Sequence, residues 1–275
     1  MKSLFHNLLV SAPNIRGGLF VVRHGVAHRV DTSGSTGVAC NGEAVYRAIQ
    51  PTTCVIYGAT PRVIAGWEGV FADIHDVASI GGEIYLACTG RNAIVKFSPT
   101  MEVLQEWRLP GEGDSCHVNC VGTWRDAIVY SYFGDFSAHR EFKGATYERG
   151  MVRDLLSGEI LVRGLSQPHS PTSSGEHLLV ANSELHEIRE YNTHGELVRA
   201  KALGAFTRGI LVRGDVVFVG LSVARWGTGL DTTEQSSQIV ALDRSSWEEL
   251  GRLAVPSNEI FSIVEFEGGI EFAVV

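Results

Sequence analysis

The sequence predicts an all-β fold: a six-bladed β-propeller over residues 1–275, read as a single domain, with strands from the two termini sharing one blade. Three observations predict it. Apolar residues come in runs of four to six, rich in Val, Ile, Leu, Phe and Tyr, with Gly, Asn, Asp and Ser turns between them and few helix signals. A short strand with a polar opening, a turn, and an apolar strand ending in small residues recurs along the chain, as in Cys116-His117-Val118-Asn119-Cys120 before Ala127-Ile128-Val129-Tyr130-Ser131. The openings Thr36, His75, His117, His169, Thr207 and Glu259 are separated by 39, 42, 52, 38 and 52 residues. A period near forty with four strands per unit is the pattern of propeller blades.

In chain order, segments 8–12, 18–23 and 26–31 read as three strands without an inner partner. The second unit opens at Thr36-Gly37-Val38-Ala39. The third resolves into strands 75–79, 83–89, 93–98 and 103–109, and the fifth into 169–173, 177–183, 187–192 and 196–203. Gly81-Gly82, Ser157-Gly158 and His194-Gly195 supply turns at the expected offsets. Segments 259–266 and 270–275 read as an inner strand with too little after it, so pairing the two ends completes a sixth blade and leaves no open sheet edge. The two long intervals carry insertions at 133–149 and 222–237, each after the second strand of its blade. In an antiparallel blade that position lies on the face where the first strand begins. Long loops in compact domains tend to carry function, so this face is the expected site.

Composition narrows the partners. A net charge of -8 and pI near 5.7, without a Lys/Arg block, argue against nucleic acid and anionic membranes. No apolar run is long enough to span a bilayer and no signal core follows Met1-Lys2-Ser3, so the expected location is cytoplasmic. Five cysteines, an odd number, read as reduced buried thiols. The sequence leaves oligomeric state open.

Inner strands line a propeller's channel, so their first residues ring one mouth. That ring is Thr36, His75/Asp76, His117/Asn119, His169/Ser170, Thr207/Arg208 and Glu259/Ser262. Strand alternation places His117 and Asn119 on one face and Cys116, Val118 and Cys120 on the other. His75, His117 and His169, with Glu259 as a fourth ligand, form a candidate set for a divalent Zn, Fe, Mn or Ni ion. Without metal, His117 or His169 is a general base, and Arg208 offers a fork for an anionic group. Thr36, Asp76, Asn119, Ser170 and Thr207, with Tyr147 and Trp226 from the long loops, are the expected substrate contacts. Bland roles stand beside these. A histidine opening a strand can simply bond a neighbouring carbonyl, Arg208 can pair with Asp76 or Glu259, and Trp226 and Tyr147 can only pin their loops. His6, His24, His28, His139, His186 and His194 read as surface residues. No P-loop, GxGxxG or HExxH motif occurs, so no nucleotide or organic cofactor is expected.

The segments Ile74-His75-Asp76-Val77, Cys116-His117-Val118-Asn119, Gln167-Pro168-His169-Ser170-Pro171, Phe206-Thr207-Arg208-Gly209 and Glu259-Ile260-Phe261 resemble a bacterial family known only as a domain of unknown function. The resemblance spans roughly residues 8–266 and implies a propeller-like fold rather than a reaction. That family often has an acidic residue after Glu-Ile-Phe, where this chain has Ser262, which departs from an extra carboxylate ligand. The architecture is also similar to six-bladed gluconolactonase and strictosidine-synthase propellers, although their acidic and Asn ligand pattern is not reproduced. The functional expectation is a small-molecule enzyme at the mouth, a metal-assisted hydrolase, lyase or isomerase acting on an anionic metabolite. The alternative is a non-catalytic propeller binding a sugar, a metabolite or a protein partner.

Overall fold

The computed structural model describes residues 4–14, 16–65, 71–223, 236–270 and 272. They form six four-stranded antiparallel sheets. The first blade is β1 (Leu8–Ala12), β2 (Gly18–Arg23) and β3 (Val26–Arg29), with β24 (Ser262–Glu265) pairing β1 as the innermost strand. The other innermost strands are β4 (Val38–Cys40), β8 (Ile74–Ile80), β12 (Val118–Trp124), β16 (Pro168–Ser174) and β20 (Phe206–Arg213). They contact one another in the cyclic order β24, β4, β8, β12, β16, β20 and back to β24. The chain is thus a six-bladed β-propeller whose ring is closed by pairing of its N- and C-terminal strands.

Strand positions follow the apolar runs closely. The third blade comprises Ile74–Ile80, Glu83–Cys88, Ala93–Phe97 and Val103–Arg108. Of the terminal 270–275 stretch, Ile270 and Phe272 lie outside strands and pack on the apolar cluster between the first and second blades. Among the described residues no helix is long and apolar enough to cross a membrane.

The second strands are buried on both faces because adjacent blades stack on them. One apolar cluster fills each of the six interfaces between neighbouring blades. Side-chain hydrogen bonds to the next blade's inner backbone add a polar latch at every interface. Ser11 Oγ donates to the Thr36 carbonyl, Thr36 Oγ1 to Ile74 O at 2.9 Å, and Thr89 Oγ1 to Val118 O. Asn119 Nδ2 donates to Pro168 O at 2.9 Å, Ser183 Oγ to Thr207 O, and Ser222 Oγ to Ile260 O at 3.4 Å. Each adds a hydrogen bond to a backbone carbonyl near the channel mouth.

Inner strands approach so closely that side chains are excluded in places. A Cβ on Gly37 would overlap Val77 N and Asp76 Oδ1, so β4 can pass β8 only with glycine there. Register breaks near the start of β8, β12, β16 and β20, between Ile74 and Asp76, Val118 and Cys120, His169 and Thr172, and Arg208 and Ile210. These β-bulges cancel strict alternation at the mouth.

Candidate active site

The mouth opens into a cavity of about 630 Å³ where the inner strands begin. Thr36, His75, His117, Arg208 and Glu259, all expected there, line it. Gln50, Asp73, Asp114, Phe133, Arg140, Phe142 and Lys143 line it too. Phe261 lines both this cavity and the channel running past all six inner strands to the other face, so its ring is the floor between them.

His75 and His117 stand edge to face, with ring centroids 4.7 Å apart. They are held differently. Asp73 has a left-handed φ of 50°, which turns its carbonyl onto His75 Nδ1 at 3.1 Å. A carbonyl only accepts, so this closer contact favours a proton on His75 Nδ1 over the 3.4 Å contact from Gln50 Nε2. His169 repeats the device: Gln167, at φ 50°, presents its carbonyl to His169 Nδ1 at 2.9 Å, and Ser183 Oγ lies at the same distance. His117 instead has a carboxylate there, with Asp114 Oδ1 3.0 Å from Nδ1. Its own backbone is left-handed, φ 52°, and its ring packs against Phe133 at 4.3 Å and Phe142 at 4.6 Å. Those phenyls belong to a small cluster with Phe136 inside the 133–149 loop. This insertion therefore clamps the imidazole.

Charges follow from burial. Burial, reinforced by His117, pushes His75 down to about 4, so it is neutral at pH 7. Burial lifts Asp114 to about 6, against the pull of His75, Arg140 and His139. At neutral pH the Asp114–His117 pair therefore consists of a carboxylate accepting from an imidazole N–H. That fixes the tautomer and leaves Nε2 as the basic atom.

The predicted metal set does not assemble. Glu259 Oε2 accepts from Arg208 Nη1 at 2.8 Å and Oε1 from Asn14 Nδ2 at 2.6 Å. His169 is buried below the mouth, with centroids 5.7 Å from Phe133 and 6.0 Å from both Phe206 and Phe261. Among the described residues no group of three or more His, Cys, Asp or Glu side chains is placed to hold a metal ion. The four donors do not fit that role.

Several expected substrate contacts lie elsewhere. Asn119 sits in the β12 bulge, buried, bonded to Pro168 O and Ser131 Oγ, so it fastens blades instead of sharing a face with His117. Thr207 is buried with its hydroxyl on Glu187 O. Ser170 and Asp76 face the channel beyond Phe261. Tyr147 is 62% exposed and lies outside the cavity lining. Trp226, with the rest of 224–235, lies outside the described residues. Asp73, Asp114 and Lys143 were not anticipated, although Asp-x-His at 73–75 and Asp-x-x-His at 114–117 are visible signals.

Asp76 has its own consequence. Its Oδ2 accepts the Val121 N–H at 3.0 Å, and burial raises its carboxyl from 3.8 to about 7, while the Val121 and Val77 N–H groups pull the other way. The folded chain therefore keeps a proton that the unfolded chain has lost. That stability is full below about pH 4 and disappears as pH rises through about 7. His75 has the opposite sign, its contribution falling away as pH drops from 6.5 towards 4. Comparing Asp76→Asn with the parent isolates the first effect. The variant is expected to gain relative stability from pH 5 to pH 8 in urea titrations, and parallel pH profiles would contradict this.

Comparison with known proteins bears out the fold. No curated protein matches the chain. A protein of unknown function from Bacteroides caccae is similar at TM-score 0.67 and 14% identity, covering 97% of this chain and 100% of that one. A chain of the nidogen/laminin complex gives TM-score 0.65 at 12% identity, over 93% and 96% of the two chains. A streptogramin B lyase gives 0.53 at 16%, over 86% of this chain and 70% of that one. Such identities speak for the shared propeller alone. A family model, by contrast, matches residues 65–271, well over half the sequence. The chain therefore belongs to the family described as Domain of unknown function (DUF4915).

Proposed function

We propose that this chain is a small-molecule enzyme whose acid–base group is His117, oriented by Asp114, at the propeller mouth. The observation that carries the reading is the 3.0 Å contact between His117 Nδ1 and Asp114 Oδ1 in a cavity of ligand size. Backbone carbonyls hold His75 and His169 at Nδ1, whereas His117 alone of the three has a carboxylate within hydrogen-bond distance there. A carboxylate on Nδ1 raises the basicity of Nε2 and stabilises the imidazolium formed when Nε2 takes a proton. Removal of a proton from substrate carbon (lyase or isomerase chemistry) or from attacking water (hydrolysis of an ester or lactone) both use that capacity. Neutral His75, edge-on to the ring, adds no competing positive charge.

Turnover of a panel of small anionic lactones, esters and hydroxy acids tests the reading. The parent chain is expected to convert at least one compound, and His117→Gln to lose about 10²–10⁴-fold in kcat/KM, the range for general acid–base groups. Full activity in the variant would remove His117 from the mechanism. The binding-module reading draws on Thr36, Asn119 and Thr207, polar openers engaged in contacts between blades. It predicts ligand binding without turnover in both chains.

A further inference from the structure

We infer that the mouth takes a small oxyanion, a carboxylate or a phosphate, on Arg140 and Lys143 rather than on Arg208. The inference rests on the acid–base reading for its chemistry but not for binding. Three cationic side chains line the cavity. Arg208 is already compensated: only 6% of its side chain is exposed, and Nη1 holds Glu259 at 2.8 Å. Its guanidinium also lies 5.0 Å from the Phe206 ring and 5.4 Å from that of Phe261. Recruiting it for a substrate would strand a buried Glu259 carboxylate, at high cost.

Arg140 and Lys143 differ. Arg140 is 48% exposed, and its contacts to Asp114 Oδ2 and Asp73 Oδ2 are 3.4 and 3.9 Å, well beyond the 2.7–2.9 Å of a tight charge-assisted bond. Lys143 is exposed and has no ion pair among the described residues. The Lys143 N–H donates to the Arg140 carbonyl at 3.2 Å, so the two stand one turn apart on the same loop. That loop is preorganised by its Phe133, Phe136 and Phe142 cluster and by the Arg140 N–H on the Asp114 carbonyl at 2.8 Å. The carboxylates of Asp114 and Glu259 are buried and paired. Asp73, 25% exposed, accepts from Gln50 Nε2 at 2.7 Å and lies 3.9 Å from Arg140, so two exposed cations stand on this wall against one partly exposed carboxylate.

Geometry then couples anchor to chemistry. Asp114 divides its oxygens, Oδ1 to His117 and Oδ2 to Arg140. Arg140 and His117 are thus bridged by one carboxylate and line one cavity, which puts the anion anchor and the imidazole within reach of a single small substrate.

The test is a titration of the full-length ¹⁵N-labelled chain with acetate, inorganic phosphate or glycerol, at ionic strength held constant with sodium chloride. Saturable shifts of the Arg140 side-chain N–H and the 138–144 amides are expected with an oxyanion and not with glycerol. The tighter of acetate and phosphate identifies the source chemistry. Arg140→Gln and Lys143→Gln are each expected to weaken binding at least about tenfold, roughly one charge-assisted contact. Shifts that track ionic strength alone, or saturable binding unchanged by both substitutions, would overturn the inference. His117→Gln keeps the anion site in this account. Binding retained there, with unaltered turnover, would sink the acid–base reading and leave the anion site standing.

Discussion

Replacing Asp31 with alanine is expected to destabilise the chain by about 3–5 kcal/mol, the largest stability loss of any single substitution argued for this structure. Arg47, in strand β5 (Val45–Ile49), has no exposed side-chain surface, and Asp31 has 2%. The two carboxylate oxygens accept from Nη1 at 2.5 Å and Nη2 at 2.8 Å. Tyr57 Oη and Ser35 Oγ complete the fork at 2.9 and 2.6 Å. The pair joins the first blade to the second, beside the blade on which ring closure depends. Truncating Asp31 leaves a guanidinium that cannot deprotonate and cannot reach water. Replacing both partners, as in Asp31→Leu with Arg47→Met, removes that stranded charge. The double variant is expected to be markedly more stable than the sum of the single substitutions implies. Urea midpoints of Asp31→Ala, Asp31→Leu, Arg47→Met and the double variant check this, and a loss below about 1 kcal/mol for Asp31→Ala, no more than a surface pair contributes, would contradict a structural role.

The second large effect concerns activity. Asp114→Asn keeps the size of the side chain, but its amide can present N–H₂ to His117 Nδ1. That favours the tautomer with the proton on Nε2, where the basic lone pair is needed. A fall in kcat of about 10²–10⁴-fold is expected against whichever substrate the parent converts, with a smaller change in KM because Asp114 also contacts Arg140. A rise in KM alone would instead make Asp114 a part of the binding wall.

The architecture was legible because two signals agree. Runs such as Val216-Val217-Phe218-Val219-Gly220 are buried along nearly their whole length, as expected of a strand sandwiched between blades. Glycine and asparagine turns then spaced those runs evenly enough to count blades. The side-by-side placement of His75 and His117 was legible too, since both open inner strands of adjacent blades. What failed was face assignment. Bulges at the start of four inner strands break the period of two, so Asn119 turned into the blade interface and Ser170 towards the channel. The repeated polar openings also carried a second meaning, because buried carbonyls between blades need donors. Thr36, Asn119 and Thr207 all supply them there, Thr207 to the Glu187 carbonyl of the preceding blade. His169 is the same fastening device as His75, sunk among phenyl rings. Asp114 escaped notice because it lies before its strand, in a loop without apolar pattern. Arg47 carried a plain signal, a lone charge inside Val45-Tyr46-Arg47-Ala48-Ile49, whose partner sixteen residues earlier only the fold reveals.

Nitrogen-resolved NMR of the His117 ring, with its Nδ1 proton followed in the parent and in Asp114→Ala, reads the proposed acid–base pair without any substrate. The account predicts a proton on Nδ1, shifted downfield by its bond to Asp114, and loss of the shift once Asp114 is gone. An imidazole protonated on Nε2, or one whose signals ignore the removal of Asp114, would contradict it.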